Sequence, residues 1–149
     1  MKRLVVEYWV PILIWLSMMY VFSTDMLSSS ETSRFIVPAL TFFFPHLQSA
    51  DLSFWHEVIR KLAHIAEYFI LAGLVYRGLK FEHPDLIDAK FRTIGFIALA
   101  ALLDEFHQSF TASRRASIVD VGYDCLGAVW ALWLITTYEF RRLRPRSVL

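Results

Sequence analysis

The sequence is poor in cysteine and in charge, and each shortage excludes a class of protein or site. Cys125 is the single cysteine of the 149 residues, so an internal disulfide and a cysteine-built metal site are both ruled out. Charged residues make up 19% of the chain, below the roughly 25% that is typical of soluble domains. The net charge of +1 gives no indication of a nucleic-acid partner.

Apolar residues are correspondingly abundant. They make up 56% of the chain and the mean hydropathy is +0.45, whereas soluble domains are about 45–50% apolar. The composition therefore indicates a membrane protein whose helices carry some polar residues. No repeat, low-complexity run or linker divides the chain, and its length suits one domain over residues 1–149.

Four segments are long enough to cross a bilayer, which takes about 20 residues per helix. They cover residues 5–22, 58–79, 91–110 and 118–140. The first and fourth are continuously apolar, the second is interrupted by His64 and Glu67, and the third ends in Asp104 and Glu105. We therefore predict an all-α fold, a transmembrane four-helix bundle.

Basic residues predict the orientation of these segments, because cytoplasmic loops are enriched in Lys and Arg. Ten of the fifteen lie at the two termini or around the connection between the second and third segments. The other five lie in the two remaining connections: Arg34, Arg60, Lys61, Arg114 and Arg115. Both termini are therefore predicted to be cytoplasmic, and the two remaining loops to face outward.

The first external loop, residues 23–57, contains an apolar stretch at residues 35–44 that is too short to span a membrane. Pro38 and Pro45 interrupt it. Two interpretations remain open for this stretch. It is either a short helix lying at the outer interface, or a lid or re-entrant segment that covers a polar site.

Polar residues recur at helical spacing in three of the four segments. Residues three and four apart share one side of a helix, which groups Lys61, His64, Glu67 and Tyr68 on the second segment, Asp104, Glu105 and Gln108 on the third, and Asp120 and Asp124 on the fourth. Counted at about 1.5 Å per residue from the outer ends of their segments, the three groups lie at similar depth. This convergence predicts one shared pocket in the outer half of the membrane.

The presence of charged residues in these segments requires an explanation, because one charge at the centre of a membrane helix costs about 2.5–3.5 kcal/mol on insertion scales. A structural ion-pair network is one explanation, with the cations Arg60, Lys61, Arg114 and Arg115 beside the carboxylates. However, buried ion pairs rarely stabilise more than apolar packing does. Small residues such as Gly122 and Gly127 serve helix packing better. We therefore favour a functional pocket.

Two kinds of chemistry fit the cluster. His64 and Glu67, with Asp104 or Glu105 from a second helix, have spacing that can ligate a metal, although the flanking cations oppose one. Alternatively, His64 backed by a carboxylate is a general base, with a second carboxyl group as the acid. Arg114 offers a bidentate fork for a phosphate or carboxylate, which suits the headgroup of a lipid or of a lipid-linked intermediate.

The spacing of these residues resembles the VanZ-like family. It runs Lys61-x-x-His64-x-x-Glu67-Tyr68, then Asp104-Glu105-x-x-Gln108, then Arg114, Asp120, Asp124 and Gly127. The resemblance is strong over residues 60–127 and looser over the first helix. Ala112 and Ser113 stand where the family often has proline and glycine before its arginine. The family consists of small bacterial membrane proteins and is named for a member that confers low-level resistance to the glycopeptide teicoplanin.

The resemblance implies a polar site in a multi-pass protein of the bacterial cytoplasmic (inner) membrane. Its candidate catalytic residues are His64, Glu67, Asp104 and Glu105, and its candidate binding residues are Lys61, Tyr68, Gln108, Arg114, Asp120 and Asp124. The site is expected to bind or modify a cell-envelope component and to lower teicoplanin susceptibility. Expected partners are membrane lipids, and a lipid-linked cell-wall precursor or a glycopeptide.

Two other functions stay open from the sequence. One is a membrane-embedded hydrolase or transferase that acts on a lipid or lipid-linked headgroup through His64 and a carboxylate. The other is a non-catalytic helix bundle in which the charged residues form a structural ion-pair network.

Overall fold

The computed structural model describes residues 5–24, 29–82, 85–110 and 117–143, which form five α-helices and no strand. A π-helical stretch, Val5–Trp9, leads into α1, Val10–Ser23. The other helices are α2, Ser29–Phe43, α3, Ser49–Glu82, α4, Leu86–Gln108, and α5, Ile118–Leu143. The predicted all-α class is confirmed.

Local side-chain caps determine where two of the helices begin. The carboxylate of Asp85 accepts hydrogen bonds from the backbone N–H groups of Ile87 and Asp88, both at 2.8 Å, and so caps α4. At the start of α3, Asp51 Oδ2 accepts a hydrogen bond from the backbone N–H of Gln48 at 3.1 Å. This cap lets α3 begin at Ser49, nine residues before the apolar segment 58–79 from which that helix was predicted. Hydropathy shows where the apolar part of a helix lies, whereas the capping side chain determines where the helix begins.

The apolar stretch at residues 35–44 belongs to a longer helix, α2. Pro38 lies inside this helix, and among the described elements α2 contacts only α3. Phe35, Phe42 and Phe43 point away from the rest of the molecule, with 77%, 80% and 71% of their surfaces exposed. The loop predicted between the first two segments is therefore largely helical, since α2 and the first turns of α3 occupy most of it.

Helices α1, α3, α4 and α5 lie side by side and alternate in direction. The ring of Tyr8, before α1, stacks on Phe81 near the end of α3, with 4.9 Å between centroids. The hydroxyl of Tyr76 donates to Glu139 Oε2 of α5 at 3.2 Å, and Lys80 pairs with the same carboxylate. The start of α1 and the ends of α3 and α5 therefore meet at one end of the molecule.

Helices α3 and α5 approach each other closely at Gly127. A Cβ atom on Gly127 would lie 2.3 Å from the carbonyl oxygen of Ile65 and 3.1 Å from the backbone nitrogen of Phe69. Because both neighbours are backbone atoms, no side-chain rotation relieves this contact. Buried side chains continue the packing below it, among them Leu71, Ala72, Val75, Ala128 and Ala131. Only glycine therefore allows the two backbones to approach this closely.

Two of the described helical stretches are long and apolar enough to cross a membrane by length and composition, Val5–Ser23 and Ile118–Arg142. They correspond to the first and fourth predicted segments. The second and third predicted segments, in α3 and α4, do not meet this criterion. Large apolar side chains are nevertheless exposed on both, including Leu62 and Leu99 at 58% each.

Replacing Gly127 by alanine is expected to destabilise the protein by about 1–3 kcal/mol, because the added methyl group forces α3 and α5 apart. Gly122→Ala is the matched control, since a Cβ at Gly122 meets nothing within 4 Å. It should leave stability unchanged or raise it by up to about 1 kcal/mol through helix propensity. Denaturant titration of the purified proteins in detergent measures both. Equal effects of the two substitutions would contradict the close packing at Gly127.

Candidate functional site

A cavity of about 160 Å³ lies at the end of the molecule away from Tyr8 and Glu139, and four helices contribute to its walls. It contains three of the predicted site residues, His64 and Glu67 from α3 and Asp104 from α4. Ser23 from the end of α1 and Thr32 from α2 complete its polar lining together with Arg60. The predicted spacing on α3 thus brings two side chains to one cavity, and the fold adds the third from α4.

Asp124 lies behind this cavity against His64. Its Oδ1 is 3.6 Å from His64 Nδ1, which is within ion-pair range but longer than a hydrogen bond. Asp124 is fully buried, and within the described part of the chain neither of its carboxylate oxygens accepts a hydrogen bond. A buried polar group without a partner typically costs about 1–3 kcal/mol. The fold therefore places a buried carboxylate, without a hydrogen bond from the described residues, on the Nδ1 side of His64, which lines the cavity.

Asp104 is held in place by its own helix. Gln108 Nε2 donates a hydrogen bond to Asp104 Oδ2 at 2.9 Å, and Gln108 is itself buried. The two residues are four apart, so one face of α4 carries both. Gln108 therefore orients the Asp104 carboxylate, and it does not line the cavity itself.

Glu105 points elsewhere, although it follows Asp104 directly. Its Oε2 accepts a hydrogen bond from the backbone N–H of Ser117 at 2.6 Å, just before α5 begins. Asp120 lies in the first turn of α5, where a carboxylate is favoured by the helix dipole. Neither residue lines the cavity. Glu105 thus joins the end of α4 to the start of α5, which accounts for its burial without a ligand.

Lys61 and Tyr68, two further predicted binding residues, do not line the cavity. Lys61 is exposed and its Nζ lies 4.9 Å from the centroid of the Tyr123 ring, a cation–π contact between α3 and α5. Tyr68 is buried and faces an apolar groove next to the cavity. Arg114 lies outside the described residues.

Three polar residues of the cavity were not among the predicted site residues: Ser23, Thr32 and Arg60. Arg60 also pairs with Glu57 at 3.7 Å on its own helix. Ser23 is 3% exposed, although it ends an apolar helix. Helical spacing within one segment cannot show which residues α1 and α2 contribute to the cavity. For Ser23, its position at the end of the first apolar segment is a sequence signal that could have identified it.

The metal-site hypothesis has little support in the described geometry. Among the residues that the structure describes, no group of three or more His, Cys, Asp or Glu side chains is arranged to hold a metal ion. His64 and Glu67 share the cavity with Asp104, but Glu105 turns toward Ser117. His64 also lies beside Asp124, an arrangement that can orient a histidine for proton transfer.

A double-mutant cycle on His64 and Asp124 should show coupling of about 0.5–3 kcal/mol in the free energy of unfolding. In the His64→Gln background the Asp124 carboxylate is buried without its basic neighbour. Asp124→Asn should therefore lower the free energy of unfolding less in the His64→Gln variant than in the intact protein. The exposed pair of Arg92 and Asp88, 2.8 Å apart on α4, is the control, with expected coupling of about 0.3–0.5 kcal/mol. Strict additivity for His64 and Asp124 would show that the two do not interact.

Comparison with known proteins identifies the family. A family model described as VanZ/LLP1 matches residues 8–139, from the start of the first helix to the last turns of α5. No curated protein and no solved structure matches the chain. The resemblance predicted from the motif is confirmed by a match that includes the whole polar cluster, and the chain belongs to the VanZ/LLP1 family.

Proposed function

We propose that the protein spans the bacterial inner membrane and binds a polar group of a cell-envelope component in its cavity, lowering susceptibility to glycopeptides such as teicoplanin. One observation carries this proposal. His64, Glu67 and Asp104, from two helices rich in exposed apolar residues, line a single cavity with Asp124 buried behind it. Polar residues that face inward together in otherwise apolar helices are expected where a ligand binds.

The membrane placement is supported by the distribution of apolar and basic side chains. α3 and α4 expose large apolar residues such as Leu62 and Leu103, while the polar residues of the site turn inward. Arg77 contacts the Tyr8 ring and Lys80 pairs with Glu139, at the end of the molecule away from the cavity. Since basic residues favour the cytoplasmic side, four membrane-crossing helices with this polarity have cytoplasmic termini and an outward-facing cavity.

The charges of the cavity suit an envelope component that carries both signs. Arg60 and Glu67 line the cavity from α3, and Asp104 lines it from α4. A guanidinium group binds phosphate or carboxylate well, and carboxylates accept hydrogen bonds from hydroxyl, amide or ammonium groups. Lipid headgroups and lipid-linked cell-wall precursors present such combinations at the outer face of the membrane.

In a teicoplanin-susceptible host that expresses the protein, Asp104→Asn and Glu67→Gln should each abolish the protection. The host should then be as susceptible as it is without the protein. Each substitution removes a charge from the cavity wall while keeping the size of the side chain. Asp88→Asn is the matched control for Asp104→Asn, since it makes the same change near the other end of α4. The minimal inhibitory concentration of teicoplanin is the measurement, with immunoblotting to verify equal amounts of protein in the membrane.

The proposal fails if Asp104→Asn and Glu67→Gln leave the inhibitory concentration at the level of the intact protein. It also fails if Asp88→Asn lowers the concentration as strongly as Asp104→Asn does, because the effect would then not depend on the cavity.

A second function, acid–base catalysis on a headgroup, is favoured by the pair of His64 and Asp124. A carboxylate on the Nδ1 side of a histidine orients the ring and stabilises its protonated form, and the other ring nitrogen then serves as the base. Glu67 or Asp104, in the same cavity, could supply the acid. A hydrolase or transferase would use these groups on a phosphate ester or an acyl bond of the lipid.

Expression of such an enzyme should change one class of lipid or lipid-linked precursor in membrane extracts, and both His64→Gln and Asp124→Asn should abolish that change. Mass spectrometry of the extracts compares the intact protein, the two variants and the control Asp88→Asn. An identical lipid profile with and without the intact protein would exclude this second function while leaving the binding function possible.

A further inference from the structure

An apolar groove of about 370 Å³ lies next to the cavity, between α1, α3 and α4. Its rim is open to the side, where Tyr20, Leu99 and Leu103 are each 58% exposed. The rings of Tyr20 and His107, tilted relative to each other with 4.8 Å between their centroids, form one part of its wall. The groove has the size and the largely apolar lining of a small-molecule site with a few polar groups.

The groove and the cavity are adjacent, because Met19 and Asp104 contribute to both. Asp104 therefore stands at the boundary between an apolar space and a polar one, oriented by Gln108. A molecule that fills both spaces must have a polar end and an apolar end, and its junction must lie near Asp104. This arrangement is complementary to an amphiphile.

The charged residues beside the groove decide between an acyl chain and a partner helix. At Asp104 the groove meets a cavity that Arg60 and Glu67 also line. The apolar face of a helix has no groups complementary to these charges, whereas a lipid carries a charged headgroup on its apolar chain. Such a chain can enter sideways past the exposed rim without leaving the apolar layer.

We infer that the groove holds one acyl chain of an amine-bearing phospholipid whose headgroup occupies the polar cavity. This inference rests on the proposed function and specifies its ligand. In the cavity Arg60 is complementary to the phosphate, and Glu67 and Asp104 are complementary to the ammonium group. A chain that moves from the bilayer into an apolar groove gains little free energy, since both surroundings are apolar. The groove therefore serves to orient the lipid, and the cavity selects its headgroup.

Photo-crosslinking tests this inference in vesicles that contain the full chain and a trace of phosphatidylethanolamine with a diazirine in one acyl chain. Mass spectrometry locates the labelled residues. Labelling of Tyr20, Phe96 and Leu103 should exceed that of the exposed Trp133 on α5. Ala100→Phe places a ring in the groove and should reduce the labelling to the Trp133 level. Leu102→Phe is the control, because Leu102 lies outside the groove on the same helix.

Headgroup selection is tested by repeating the labelling with a diazirine phosphatidylglycerol and with Asp104→Asn. Groove labelling should fall to the Trp133 level in both cases, because the ammonium group or its carboxylate partner is missing. If Ala100→Phe does not fold, Ala100→Met fills the same space with a more flexible side chain. Groove labelling that never exceeds that of Trp133, that survives filling of the groove, or that is equal for the two lipids would overturn the inference.

The outcome is separable from that of the proposed function. If the labelling fails while Asp104→Asn still restores teicoplanin susceptibility, the lipid assignment is wrong and the proposed function stands. If the groove is labelled as expected while Asp104→Asn leaves susceptibility unchanged, the lipid assignment stands and the glycopeptide function is wrong.

Discussion

The close approach of α3 and α5 at Gly127 is the contact on which the arrangement of the polar residues depends. A Cβ atom at this position would lie 2.3 Å from the carbonyl oxygen of Ile65, so the spacing of the two helices requires a glycine. Asp124 is three residues before Gly127, and His64 directly precedes Ile65. The same approach therefore brings their side chains to 3.6 Å. A wider crossing would separate Asp124 from His64, the only histidine among the described residues that line the cavity.

Glu105 and Asp124 are buried and Asp104 is half-buried, and the three carboxylates differ in how this burial is compensated. Glu105 accepts a hydrogen bond from the backbone of Ser117, and Asp104 accepts one from Gln108. Both contacts offset the loss of hydration. Asp124 has no such bond within the described residues and lies against His64 instead. A structural explanation therefore suffices for Glu105, while the proposed function rests on the cavity, His64 and Asp124.

Sequence reasoning was most successful where one helix determines the result. Helical spacing correctly placed His64 and Glu67 together on α3, and Asp104 beside Gln108 on α4. It was least successful where several elements meet. Tyr68 shares the periodicity of His64 and Glu67 but faces the apolar groove, because α1 and α4 pack against that side of α3. The early start of α3 was also missed, since its first turns mix polar and apolar residues and the capping contact of Asp51 leaves no mark in hydropathy.

The sequence alone determined the helical class, the family motif and the identities of the polar residues, because apolar length and the spacing of three or four residues are local properties of the chain. Tertiary structure alone decided which of those residues share a cavity, because helix spacing and rotation depend on contacts between segments far apart in sequence. It assigned Glu105 to the connection before α5, Asp124 to the Nδ1 side of His64, and Ser23 and Thr32 to the cavity wall. It also placed an apolar groove beside Asp104, a feature to which three helices contribute and which no single segment encodes.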